Sequence, residues 1–253
     1  MKSKLLKFFF IFSLCFSFPV LAQEKLVLPN PIDHSAFSQI LKKYISKIGL
    51  VDYRSLKRDK EALAVLNGYC EDLSKIDIFV LEPVQERMAA LLNLYNALVL
   101  REVLKFYPVQ NTSQIPHFFE EARYALAGFE KKMSLLDIEN LFHERFNDPR
   151  HNLARVNASI AGPIFLQEAF NSKNLEKQLE EVTARFINDP SKVSYDARRN
   201  VVGTSPLFLW FEEDFKRYSM SLRGFLSSRI PVNLSTKVEF GGYDWRLNDT
   251  VYR

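Results

Sequence analysis

The sequence predicts an α+β fold: a single helix-rich domain with a small, mainly antiparallel sheet in its second half. Three observations lead there. Apolar residues recur at helical spacing from Phe37 through Phe186. Short β-type runs bounded by turn residues gather after Asn188. The two kinds of element do not alternate as a regular βαβ sheet would require.

The first helix is expected from Ser35 to Ser46, where Phe37, Ile40, Leu41, Tyr44 and Ile45 fall on one side, and Gly49 ends it. A second, from Lys57 to Leu73, presents Leu63, Leu66, Tyr69 and Leu73. Pro83 suits the first turn of a long third helix reaching Phe106, because an N–H is not needed there. Its broad apolar stripe of Met88, Leu91, Leu92, Tyr95, Leu98 and Val99 marks it as the central core helix, with Asn93 and Asn96 sharing a side. Ser134 with Asp137 reads as an N-cap and its acidic partner. Leu153 to Ser159 is expected to be extended. A helix carrying Leu175, Leu179, Val182 and Phe186 stops at Asn188-Asp189-Pro190. Lys192 to Tyr195 and Asn200 to Thr204 read as a hairpin around the solvated turn Ala197-Arg198-Arg199, and Thr236 to Phe240 as a further strand.

Residues 1–22 read as a signal peptide: Lys2, Lys4 and Lys7 precede the apolar run Phe8 to Leu14, and small residues close the segment at Ala22. The apolar stretch falls short of the roughly 20 residues a membrane span needs, and Leu14 before Cys15 is too large for a lipidation site. The protein is therefore expected to be exported, periplasmic or secreted, with no stable membrane insertion after signal cleavage. Residues 23–32, with two prolines, form a short strap before a domain at 33–253.

The whole chain carries 34 Lys and Arg against 30 Asp and Glu. The leader holds three of those lysines and no acid, so the remainder is close to neutral and no nucleic-acid partner is indicated. Without the leader, Cys70 is the remaining cysteine; it cannot form an internal disulfide and is expected to be buried, inert packing.

Several phrases occur in an order that resembles the family catalogued as "domain of unknown function 547". They are Val51-Asp52-Tyr53, Asn93-Leu94-Tyr95-Asn96-Ala97, Tyr107-Pro108-Val109, Ser134 through Glu139, Asp148-Pro149-Arg150, Ala158-Ser159, Phe186 through Pro190, Trp210 with Asp214-Phe215, and Tyr243-Asp244-Trp245 with Leu247-Asn248. The resemblance implies a fold that looks like a cysteine hydrolase or transferase, and candidate pocket residues Asn93, Tyr95, Asn96, Glu139, Asn140, Asn152, Asn157 and Ser159. It also implies a loss. Where the family pattern has histidine this chain has Asn140 and Asn152, and where it has cysteine this chain has Asn157 and Gly162. An amide has no titratable group and cannot replace a thiolate or its base, though it donates and accepts hydrogen bonds.

The expected function is accordingly a catalytically inactive binding or scaffold module of the cell envelope, a pseudoenzyme, whose partner is an unidentified envelope ligand or protein. The alternative is a hydrolase or acyltransferase whose chemistry has moved to Ser159, Glu139 or His151. His151, one residue before the family's histidine position, would face away from the pocket in an extended segment and reads as solvated or capping. Ser159 needs an adjacent base and reads as structural. Glu139 with His143, four residues on, is one ligand pair where zinc wants three or four, His34 and His117 are isolated, and neither a metal nor a cofactor is predicted. Trp210, Tyr243 and Trp245 read as core anchors, and Asp214 and Asp244 as local caps or ion-pair partners.

Overall fold

The computed structural model of the protein describes residues 31–252; the leader at 1–22 and most of the strap at 23–32 lie outside them. Helix α1 (Ser35–Tyr44) buries Phe37, Ile40, Leu41 and Tyr44, the i, i+3, i+4, i+7 face that a helix lays on a core. It ends at Tyr44 because Ile45 turns extended and pairs with Val51. The helix expected at 57–73 is α3 (Lys60–Ser74), and an unexpected short helix, α2 (Tyr53–Arg58), precedes it. Asp59 divides them: it leaves helical geometry and its carboxylate accepts from the Ala62 N–H at 2.9 Å. Such a cap satisfies a donor that a helix start otherwise orphans.

Helix α4 (Val84–Phe106) follows Pro83 directly, and from Met88 to Leu104 nearly every residue is buried. It is enclosed on all sides, whereas a surface helix would keep one wet face. Polar groups survive in such a helix only when bonded, and two asparagines meet that condition in the same way. The Asn93 amide donates to the Phe170 carbonyl at 2.8 Å and accepts from the Phe170 N–H at 2.9 Å. Asn96 donates to the Ala154 carbonyl at 3.0 Å and accepts from the Val156 N–H at 2.9 Å. Each side chain thus grips a distant backbone segment as a strand would, and neither faces a cavity.

Ser134 and Asp137 form the capping box of α5 (Leu135–Arg145), with Asp137 N–H to Ser134 Oγ at 3.0 Å and Ser134 N–H to Asp137 Oδ2 at 2.8 Å. The expected extended stretch at 153–159 begins instead inside a helical turn, α6 (His151–Ala154). Arg150 holds its entry, bound by both oxygens of Glu176 at 2.7 and 2.8 Å and by Asp148. Glu176 lies in α7 (Leu175–Ile187), which stops at Asn188.

Strands β1 (Val193–Asp196) and β2 (Val201–Thr204) form the expected hairpin, with Val193 opposite Thr204. The chain then makes α8 (Leu207–Trp210), α9 (Glu212–Ser219) and α10 (Leu222–Ser227) before β3 (Lys237–Phe240) pairs parallel to β2. A crossover of that length permits a parallel pairing that a tight turn does not, so the small sheet is mixed.

Two buried apolar clusters result, one around α4 and one joining Leu153, Phe186, Val202, Phe208, Phe215 and Phe225. The C-terminal segment crosses the first: Val51 N–H bonds the Asn248 carbonyl at 2.8 Å, Asn248 N–H the Ala158 carbonyl at 3.0 Å, and Ile160 N–H the Arg246 carbonyl at 2.9 Å. Among the described residues no helix is long and apolar enough to cross a membrane.

The buried amide grip sets a stability expectation. Asn96→Ala leaves a buried N–H and a buried carbonyl without partners, each worth about 1–3 kcal/mol, whereas Asn140→Ala on the exposed side of α5 should stay within about 0.5 kcal/mol. Urea denaturation of the two variants separates them. Cys70 is free and wholly buried, and burial pushes its thiol up to about 12. It should therefore resist a thiol reagent at pH 8 until denaturant is added, and the solution mass should not change with reductant.

Candidate functional site

Where the two clusters meet, a cavity of about 240 Å³ opens to solvent. Tyr95 of α4 and Glu139 of α5 line one side, Asn152 and Arg155 the floor, and Asn157 the turn beyond. Phe119, Phe211, Trp210 and Trp245 supply the remaining aromatic wall.

Arg155 is the buried charge of the site, its side chain 2% exposed. It stands there because the Asn96 grip fixes the backbone on either side of it. Its guanidinium donates to Asn152 Oδ1 and, at 2.9 Å, to the Glu139 carbonyl. The Glu139 carboxylate lies 3.7 Å away, and the guanidinium carbon sits 4.9 Å from the Phe142 ring and 5.2 Å from that of Phe211. A buried cation is tolerated only with such partners.

Past Arg155 the chain turns sharply. Ala158 adopts φ +61°, a left-handed conformation that a residue with a Cβ takes only under constraint. This turn folds Asn157 and Ser159 against each other and against Tyr243. Ser159 Oγ has one proton, which it gives to Asn157 Oδ1 at 2.6 Å. Its 3.1 Å contact with Tyr243 is then donated by the phenol, and the Asn157 amide donates to the phenol oxygen at 2.6 Å. The three side chains close a ring in which each hydroxyl gives once and accepts once.

Gly162 is required beside that ring. A Cβ there would stand 2.1 Å from Asn157 Oδ1 and 2.8 Å from Ser159 Oγ, so a side chain at 162 and the amide at 157 compete for one space.

The rim is aromatic. Trp210 and Trp245 stack at 5.6 Å with an interplanar angle of 21°, and Tyr243 lies 4.5 Å from Trp245. Trp210 and Trp245 remain 47% and 43% exposed. The core-anchor reading of these tryptophans is thus corrected: α8 and the C-terminal segment end at the cavity mouth and leave one face of each ring in solvent. Asp244 does pair locally, with Arg246.

Of the predicted pocket residues, Tyr95, Glu139, Asn152 and Asn157 line the cavity, and Ser159 stands behind Asn157. Asn93 and Asn96 do not line it; their amides are spent on backbone. Asn140 is exposed on α5, because neighbours on a helix diverge by about 100° and Glu139 already takes the inward direction. His151 is neither solvated nor a cap. Its position on α6 buries it completely beside Phe142, at 5.4 Å, where burial first and the charge of Arg155 second hold it neutral.

Behind Asn152 lies a cluster that sequence spacing does not reveal. His143 Nδ1 and Asp214 Oδ2 are 2.5 Å apart, and the Asn152 amide donates to the same oxygen at 2.9 Å. One ligand-capable atom from each of His143, His151 and Asp214 lies within 4.8 Å of the others. His143 therefore pairs with α6 and α9 and not with Glu139. Burial raises the Asp214 carboxyl, but hydrogen bonds from His143 and Asn152 outweigh it and hold it below the ordinary carboxylate range.

Comparison with known families matches residues 81–187 to the family described as "Protein of unknown function, DUF547". Those residues belong to that family. The DUF547 segment runs from just before α4 to the end of α7 and supplies the cavity floor, Tyr95, Glu139, Asn152, Arg155 and Asn157. Asp214, Trp210, Tyr243 and Trp245 come from beyond it. No curated protein and no solved structure gives a significant match to the chain.

Gly162→Ala should break the hydroxyl–amide ring. Overpacking costs typically 1–3 kcal/mol, so we expect a destabilisation of about 2 kcal/mol together with altered tryptophan emission, since Tyr243 touches both rim tryptophans. Equilibrium unfolding followed by fluorescence measures both.

Proposed function

We propose that this chain is an exported ligand-binding module, without hydrolase activity, whose cavity takes one ring of a neutral saccharide. The observation that carries the reading is the pairing of an exposed, stacked tryptophan platform with a floor of amides and a guanidinium. Flat aromatic faces cover the apolar side of a ring, while Asn152, Asn157 and Arg155 offer both donors and acceptors of the kind that paired hydroxyls need.

Size and charge narrow the choice. About 240 Å³ is below the roughly 300–1,000 Å³ of sites for drug-sized ligands, so one ring enters and the rest of a longer ligand lies across the platform. Arg155 shares the cavity lining with Glu139 and Glu120, which leaves no cationic excess to recruit an anion. The signal-peptide reading of residues 1–22 supports a ligand met in the envelope or outside the cell.

The absence of turnover follows from the donors. Ser159 spends its proton on Asn157, and its partners are an amide and a phenol; a serine nucleophile needs a base positioned to take that proton. His151 belongs to the neighbouring cluster and does not line the cavity.

The chain's two tryptophans both stand on this cavity, so intrinsic emission reports occupancy. Titration with N-acetylglucosamine and glucose oligomers should shift emission saturably, and Trp245→Ala or Trp210→Ala should weaken binding at least tenfold. Binding confined to acidic sugars or peptides would overturn the ligand class. Ester or amide turnover abolished by Ser159→Ala with Glu139→Ala would overturn the non-catalytic reading.

A further inference from the structure

We infer that His143, His151 and Asp214 form a binding site for a divalent first-row transition ion of the zinc type, behind the saccharide cavity and independent of its ligand. The three side chains come from α5, α6 and α9 and bring one ligand atom each within 4.8 Å of the others. Two imidazoles and one carboxylate are a set that zinc accepts with a further position filled by solvent or another donor. Tetrahedral bonds of about 2.0–2.1 Å put ligand atoms roughly 3.4 Å apart. The His143–Asp214 contact of 2.5 Å has therefore to open by under an ångström, and the far edge of the triangle to close by somewhat more, both within side-chain motion.

A second, independent observation is His151 itself. Its side chain is fully buried, and neither ring nitrogen has a hydrogen-bond partner. A buried polar group left unbonded costs about 1–3 kcal/mol and requires a reason. The unbonded ring stands against a second imidazole, that of His143, with ring centroids 5.4 Å apart.

Two arginines stand near the site, and each is turned to partners of its own. Arg217 binds Asp214 through Oδ1 at 3.2 Å, and Oδ2 is the oxygen that faces His143. Arg155 is turned to Glu139 and to Asn152 Oδ1. The Asn152 amide on Asp214 Oδ2 at 2.9 Å is an outer partner of the sort that orients a ligating carboxylate. His143 is 23% exposed and provides the entry. A bound ion would replace one hydrogen bond by three bonds and lock α9 to α5 and α6.

The test uses the full-length chain, stripped with chelator and dialysed against zinc or cobalt(II). One equivalent of zinc per chain is expected by elemental analysis, with a cobalt(II) visible spectrum typical of nitrogen and oxygen ligands and a thermal midpoint raised by metal and lowered again by chelator. His143→Gln and Asp214→Asn, whose folding is checked by circular dichroism, should each bind at least tenfold more weakly. His143 is part-exposed, so its variant remains informative should Asp214→Asn fail to fold. Saccharide-dependent tryptophan emission should persist in His143→Gln, which keeps this site distinct from the cavity. Sub-stoichiometric zinc in the wild type, or undiminished binding in His143→Gln, would overturn the assignment.

Discussion

The side-chain amide of Asn96 holds the site in place. It sits on a helix with no wet face, where an unbonded amide would be a liability, and it spends both of its functions on the backbone at Ala154 and Val156. Between those two grips stands Arg155. The residue that carries the cavity's buried charge is therefore anchored to the buried central helix, and Asn152 and Asn157 lie a few residues to either side of it. Asn93 does the same for the segment at Phe170, so the central helix organises two loops with one chemical device.

Anchored in this way, the Arg155 guanidinium is shared in the cavity floor by a carbonyl, an amide oxygen, a carboxylate and three aromatic rings. With Glu139 beside it, its charge is offset within the cavity lining. The ring of Asn157, Ser159 and Tyr243 has the same quality: both of its hydroxyl protons are committed within it, and nothing in it titrates near neutral pH. Both features suit recognition of neutral polar groups better than proton transfer.

Much of the helical frame is legible because it is written in local chemistry. The capping box at Ser134, the stop at Asn188 and the core character of α4 follow from side chains acting within a few residues of themselves. Helix α2 is hidden because it is under two turns long, and the cap at Asp59 that starts α3 lies in a charged run with no apolar periodicity. Helices α8 to α10 escape for want of length, since a helix of one or two turns has little periodicity to display. The site is half legible. Glu139, Asn152 and Asn157 can be placed from the resemblance to DUF547, but Arg155 gives no signal beyond a lone charge in an apolar run. His151 is misplaced by sequence pattern because one turn of helix, where an extended strand is expected, turns the side chain inward.

The partnership of His143, His151 and Asp214 has no local signature, since Asp214 stands 71 residues from His143 and outside the DUF547 segment. Asn152 joins that cluster to the cavity: its nitrogen donates to Asp214 while its oxygen accepts from Arg155. An amide is suited to this place because it can face a carboxylate with one end and a guanidinium with the other without taking a charge itself. An imidazole there would have to choose a tautomer or a proton for each neighbour, and would couple the two sites through its own titration. With asparagine the histidine–carboxylate cluster and the cavity floor share one uncharged wall, and neither neighbour's hydrogen bond depends on a proton that could leave it.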